Sequence, residues 1–159
     1  MVCQSKHVRM IECMKEIAAY GAEKGVIIGL QNHNHHCVTR TGEDVLRILR
    51  EVNHPYFSHI MDTGQYVGSP GASGHKESDN PEDNYRSLEQ TAPHAVYVRT
   101  KFYRIDSGVE EWLDYPRLFR ILRSVGYNGG LSIVYEGASE PKAAIEKSAA
   151  YLRRLMREA

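Results

Sequence analysis

The stretch from Val26 to His36, Val-Ile-Ile-Gly-Leu-Gln-Asn-His-Asn-His-His, constrains this chain more than any other. Five apolar or small residues, three of them β-branched, run into amide and imidazole side chains. That is the pattern of a buried strand delivering polar groups at its C-terminal end. Folds that alternate strands with helices build their sites in this way. Strand alternation puts Ile27, Gly29, Gln31 and His33 on one face, and Ile28, Leu30 and Asn32 on the other. The first face should meet a ligand and the second should meet helices.

The rest of the chain repeats the alternation. Ser5 to Lys24 reads as a helix, with Val8, Ile11, Met14, Ile17 and Ala18 at three- and four-residue spacing and Gly25 as its left-handed cap. Thr41 and Asp44 resemble a capping box opening a second helix, whose Val45, Ile48, Leu49 and Val52 form a stripe. Phe57 to Met61 is a second strand, followed by Asp62-Thr63-Gly64-Gln65. The polar run from Gln65 to Asp83 has the composition of an active-site loop or lid, and its Gly68 to Gly74 segment lacks the lysine of a phosphate loop. Asn80-Pro81 opens a helix to about Thr91, and Ala95 to Lys101 is a third strand with Tyr97, Arg99 and Lys101 on one face. Asp114 caps a helix carrying Leu118, Phe119, Leu122 and Val125. Leu131 to Tyr135 is a fourth strand ending at Glu136-Gly137, and a last helix from Pro141 to Arg157 turns Ala144, Ile145, Ser148, Leu152 and Leu155 inward.

This order, four strands among five helices, implies an α/β fold with a parallel sheet and helices packed outside it. No linker or low-complexity tract divides residues 1–159, which read as a single domain. At 159 residues the chain is short of the roughly 250 of a full (β/α)8 barrel. It reads as a half barrel. Such a half leaves an apolar inner face and two unpaired edges, for which a homodimer completing the barrel is the expected remedy.

Charge narrows the partners. Twenty basic and twenty acidic side chains cancel, which removes the electrostatic footprint of a nucleic-acid or anionic-membrane binder. Cys3, Cys13 and Cys37 are odd in number and lack CxxC spacing, as in a reducing compartment. No apolar run approaches the ~18 residues of a membrane span, and the N-terminus shows no signal-peptide core, so a soluble cytoplasmic protein is expected.

Four strand ends taken together carry a resemblance. Val26 to His33, the Met61-Asp62-Thr63-Gly64 turn, Tyr97-Val98-Arg99-Thr100-Lys101, and Gly126 to Ile133 followed by Tyr135-Glu136-Gly137 resemble the C-terminal half of the xylose-isomerase-like TIM barrels. The resemblance implies strands five to eight of a barrel and a sugar or sugar-phosphate isomerase or epimerase. It also implies a divalent metal, manganese, magnesium or zinc, held by Glu, Asp, His and Glu on successive strands. In this chain those positions fall on Gln31, Asp62, Arg99 and Val134, so only Asp62 is of a ligand type. The histidine that often follows the Asp-Thr-Gly turn is Gln65 here, whereas the lysine two residues beyond the seventh-strand position is present as Lys101.

The residues themselves suggest a sugar pocket. Asp62 and Glu136, at strand ends, are the acid/base candidates, with His33 as a proton shuttle and Gln31, Gln65, Arg99 and Lys101 as substrate binders. A rebuilt metal site would combine His33, Asp62 and Glu136 with His35 or His36. Glu136 paired with Lys101 or Arg99, and Asp62 capping a turn, is the plain structural alternative. Tyr66, Tyr103 and Trp112 are candidates for stacking on a sugar. Two further readings keep the same residues: a metal-independent glycoside hydrolase using Asp62 and Glu136, and a non-catalytic barrel half serving binding or assembly. Asp62-Thr63-Gly64 also matches the aspartic-protease tripeptide, but those enzymes are all-β.

Overall fold

The computed structural model describes residues 2–70, 78 and 80–158, with side chains from Lys6 onward. Part of the expected loop or lid between Gln65 and Asp83, at positions 71–77 and 79, therefore lies outside the described residues, as does much of the Gly68 to Gly74 segment. The elements are α1 (Val2–Glu23), β1 (Ile28–Gln31), α2 (Gly42–Val52), β2 (Phe57–Asp62), α3 (Pro81–Thr91), β3 (Ala95–Phe102), α4 (Tyr115–Ser124), β4 (Gly130–Tyr135) and α5 (Pro141–Arg157), with a 3-10 turn at Ala92–His94. The four strands form one parallel sheet in chain order.

Local chemistry sets the helix starts. The Thr41 side chain accepts from the Asp44 N–H, Asn80 from Glu82, Asp114 from Arg117, and Glu140 from Lys142 and Ala143. The expected capping box is only half formed. The Asp44 carboxylate takes the Thr41 hydroxyl proton at 2.7 Å instead of reaching back to the Thr41 backbone. Gly25 ends the first helix at φ 67°, and Asn53 ends the second at φ 45°.

Helices cover one face of the sheet. Leu30, Met61, Val98 and Phe102 join Val45, Ile48, Leu88, Leu118, Leu122 and Leu152 in a single core. Two helical stripes differ from their sequence reading. On α1, Ile11 and Ala18 are buried and Met14 packs against the core, but Val8 and Ile17 stand half exposed. On α5, Ile145 points outward and Tyr151 takes the inner place, edge-on to Tyr115 with ring centroids 5.7 Å apart. Spacing identifies a face but not its width, so residues at its margin are assigned by the neighbours they meet.

The opposite face is the inner face of a half barrel. Ladder partners Gln31 and Ile60, Asp62 and Arg99, Arg99 and Ser132, and Lys101 and Val134 share it, level by level. Little of the chain covers it: Gln31, Ile60, Arg99, Ser132 and Val134 are only part-buried, and Tyr97 is exposed. As expected from alternation, Leu30 and Asn32 face the helices and Gln31 does not.

Candidate functional site

The C-terminal ends of β2, β3 and β4 bring Asp62, Arg99, Lys101 and Glu136 together. Asp62 is fully buried, and its Oδ1 accepts from the Gly64 N–H at 3.0 Å, closing the turn that follows β2. Lys101 is 1% exposed. Its Nζ donates to Glu136 Oε1 at 2.6 Å and lies 3.5 Å from Asp62 Oδ2. Arg99, open to solvent at the inner face, reaches within 3.7 Å of the same Oδ2. Among the described residues Asp62 Oδ2 nevertheless has no hydrogen-bond partner within good bonding geometry, both cations standing at 3.5 Å or more. Burial pushes the Asp62 carboxyl above its ordinary range, against the pull of Lys101, the Gly64 N–H and Arg99.

Side-chain bonds to the backbone hold these strand ends together. Asn32, at the end of β1, clamps Asp62 from the side: its Nδ2 donates to the Asp62 carbonyl at 2.9 Å, and its Oδ1 accepts from the Asp62 N–H at 2.7 Å. Thr63 Oγ1 accepts from the Lys101 N–H at 2.9 Å. A side chain at Gly64 would meet Lys101 Cγ at 2.7 Å and the Tyr103 hydroxyl at 2.8 Å, so glycine is what lets Lys101 pass beneath the turn. Asn32→Ala strands two buried backbone groups of Asp62, and a loss of about 1–3 kcal/mol in chemical denaturation is the expected result.

The other sequence candidates fall in different places. Gln65 is buried in the turn after β2, its Oε1 without a partner among the described residues, and Gln31 sits on the inner face one ladder level below Asp62. The structure does not bring His33 to the carboxylates. β1 ends at Gln31, and the His33 backbone turns to bridge Thr39. Its ring contacts among the described residues, with His35, the Asn34 carbonyl and Cys37 Sγ, all lie within its own loop. The rebuilt metal site of His33, Asp62, Glu136 and a loop histidine therefore does not form. Among the described residues no three His, Cys, Asp or Glu side chains converge in a metal-binding arrangement.

Of the aromatic candidates, Tyr66 is a core residue, fully buried with its hydroxyl against His59 Nε2 and Thr91 Oγ1. Tyr103 is also buried and donates to the Gly64 carbonyl at 2.8 Å. Only Trp112 is open. With Tyr103 and Glu136 it lines a cleft of about 480 Å³ beside the end of β4. Asn32 and His59 were the residues that sequence reading passed over. An asparagine directly after a buried strand is the one signal that could have flagged the former.

Residues 5–155 match the model of the xylose isomerase-like TIM barrel. The chain belongs to that family. Solved structures agree in fold. A 3-keto-D-glucoside 4-epimerase from E. coli superposes with a TM-score of 0.66 at 24% identity, over 91% of this chain and 52% of its own. A D-psicose 3-epimerase from Clostridium cellulolyticum, crystallised with D-tagatose, gives 0.70 at 13% identity, over 94% and 55%. A D-allulose 3-epimerase from Methylomonas sp. gives 0.65 at 20% identity, over 91% and 54%. No curated protein matches the chain. This half barrel thus spans about half the length of the solved barrels it resembles. No described helix is long and apolar enough to cross a membrane.

The donor set does not fit the divalent ion implied by the resemblance. Asp62 Oδ2 already faces two fixed cations, and a metal beside it would meet the Arg99 guanidinium. Gln31 offers a neutral amide and Val134 no donor at all.

Proposed function

We propose that this half barrel contributes the acid/base half of a sugar-binding site, in an enzyme that isomerises or epimerises a sugar. The carrying observation is the contrast between Asp62 and Glu136. One carboxyl is fully buried, with an oxygen that has no hydrogen-bond partner among the described residues, and the other is solvent-exposed and held by Lys101. Two carboxyl groups in such unlike environments suit opposite proton-transfer roles. Asp62 and Glu136 are the pair that would take a proton from the substrate and return it, and burial, which raises Asp62 above its ordinary range, eases its uptake of the proton between the two steps. Lys101 and Arg99 supply positive charge where a carbonyl or alkoxide oxygen would gain negative charge, and Trp112 offers a ring face at the cleft beside Glu136. The fold likeness to ketose epimerases supports a polyhydroxylated substrate.

Asp62→Asn and Glu136→Gln are each expected to lower ketose interconversion at least about tenfold, assayed by chromatography over a panel including D-allulose and D-tagatose. Unchanged turnover in both variants would remove the assignment. A non-catalytic sugar-binding half is the second reading, favoured by Lys101 holding Glu136 at 2.6 Å with Asp62 3.5 Å away. Sugar binding by calorimetry with no turnover in the unaltered protein would decide for it.

A further inference from the structure

The cleft beside the end of β4, at about 480 Å³, is within the roughly 300–1,000 Å³ of small-molecule sites, and Glu136 forms part of its wall. The loop between β3 and α4, which carries Trp112, forms another part. We infer that this cleft is a second sugar subsite: the substrate is a glycoside whose neutral outer ring stacks on Trp112 while its reacting sugar meets Asp62 and Glu136. The inference rests on the reading of those two carboxyl groups as a sugar site, and it specifies the substrate's size and charge.

The loop holds Trp112 in place before any ligand arrives. Its hub is Glu110, 4% exposed, whose Oε1 accepts from the Trp112 N–H at 3.1 Å and whose Oε2 accepts from the Tyr103 N–H at 3.0 Å and the Arg104 N–H at 3.1 Å. A carboxylate has acceptor sites for all three, so one side chain ties the two ends of the loop together. The indole leans on the buried Tyr103 ring, with centroids 5.7 Å apart, yet is 49% exposed. A lone exposed apolar side chain needs no explanation; a ring pinned to the wall of a cleft that also holds Glu136 does. A sugar ring laying its C–H face on this indole buries apolar surface without first having to order the loop.

The loop between β4 and α5 is fastened to the same wall. Ser139 Oγ donates to Asp106 Oδ1 at 2.6 Å, and Lys147 Nζ donates to the Asp106 carbonyl at 2.8 Å. Gly137 passes so near the Tyr103 carbonyl that an added Cβ would clash with it. The hydroxyl of Ser139 and the carboxylate of Asp106 stand at the cleft as partners for sugar hydroxyls.

Charge decides that the outer group is neutral. Arg104 is the one cation among the described lining residues, and Glu111 holds it at 3.0 Å. Asp106 and Glu136 line the same space. A phosphate on the substrate would face two carboxylates there, with the only lining cation already paired.

Trp112 is the only tryptophan of the chain, so tryptophan emission reports on this cleft alone. The test titrates the full chain with D-fructose, with turanose, maltulose and isomaltulose, which add a glucosyl ring to D-fructose through different hydroxyls, and with D-fructose 6-phosphate. Binding is read by emission and by calorimetry. At least one glucosyl-fructose is expected to bind at least about tenfold more tightly than D-fructose and to shift the emission. By calorimetry, Trp112→Ala is expected to reduce that preference to about twofold or less, and Trp112→Phe to keep part of it. A preference that survives Trp112→Ala overturns the subsite and leaves the sugar site standing, as does D-fructose binding as tightly as every glucosyl-fructose, or the phosphate binding tightest. Binding by none of these sugars overturns the sugar site itself, and the subsite with it.

Discussion

Lys101→Met is expected to destabilise the protein by about 3–5 kcal/mol at neutral pH, the cost of leaving a buried charge without its partner. The methionine preserves most of the stem that passes beneath Gly64, so packing changes little. What is lost is the cation 3.5 Å from Asp62 Oδ2, in a place where that oxygen is buried and has no hydrogen bond among the described residues. Arg99 compensates weakly, because it stands 3.7 Å away and is partly solvated. Two controls separate charge from shape. Asp62→Asn in the Lys101→Met background should recover most of the stability, since the uncompensated anion is then gone. The deficit of the single variant should also shrink as pH falls, because a carboxyl with a raised native pKa takes up its proton more readily in the folded state. Denaturant titration of the four proteins of this cycle at two pH values measures both effects. A Lys101→Met deficit that neither Asp62→Asn nor acid relieves would show that the lysine matters for packing alone.

Acidification from pH 6.5 to 4 is expected to remove roughly 3 kcal/mol through His59. This histidine is fully buried on the helix side of β2, and burial holds its pKa down at about 4, outweighing the Leu30 carbonyl bond. Nδ1 donates to the Leu30 carbonyl at 2.8 Å, and Nε2 lies 3.0 Å from the Tyr66 hydroxyl, which itself donates to Thr91 Oγ1. The sign follows from proton uptake. Between those pH values the unfolded chain binds a proton at this site and the native protein does not, so stability falls with pH. Asp62 and Glu110, both raised by burial, act in the opposite direction, which makes the slope of the whole protein shallower than that of His59 alone. The comparison with His59→Gln isolates the histidine. The stability difference between variant and unaltered protein should narrow as pH drops from 6.5 to 4, and a difference independent of pH would refute this origin.

The alternating order of elements was plain in the residues because each element carries its own punctuation. Asn80-Pro81, Asp114 and Thr41 start helices through side-chain bonds to N–H groups two or three residues on, and such bonds need nothing from elsewhere in the chain. The split of β1 into a helix-facing Leu30 and Asn32 and an inward Gln31 is equally local. The margins of the helical stripes were not legible. Ile17 and Ile145 are apolar and correctly spaced, yet they face outward, because spacing marks the face of a helix but not how wide a strip of it the neighbours cover.

The site divides in the same way. That Asp62, Lys101 and Glu136 end three successive strands follows from strand length and alternation, and so did their candidacy. His33 was expected beside them on the same grounds, but a strand reading assumes the strand continues. The Thr39 bridge turns the chain away two residues after β1 ends. By itself the sequence determined the parallel half barrel, its family and the strand ends that carry charge, because propensity, caps and period are short-range. Only the tertiary structure decided that Lys101 lies between both carboxylates, that Asn32 clamps Asp62, and that an arginine faces the carboxylate where the resemblance implied a metal. Those outcomes depend on ladder register, which is set by the packing of distant strands and helices together.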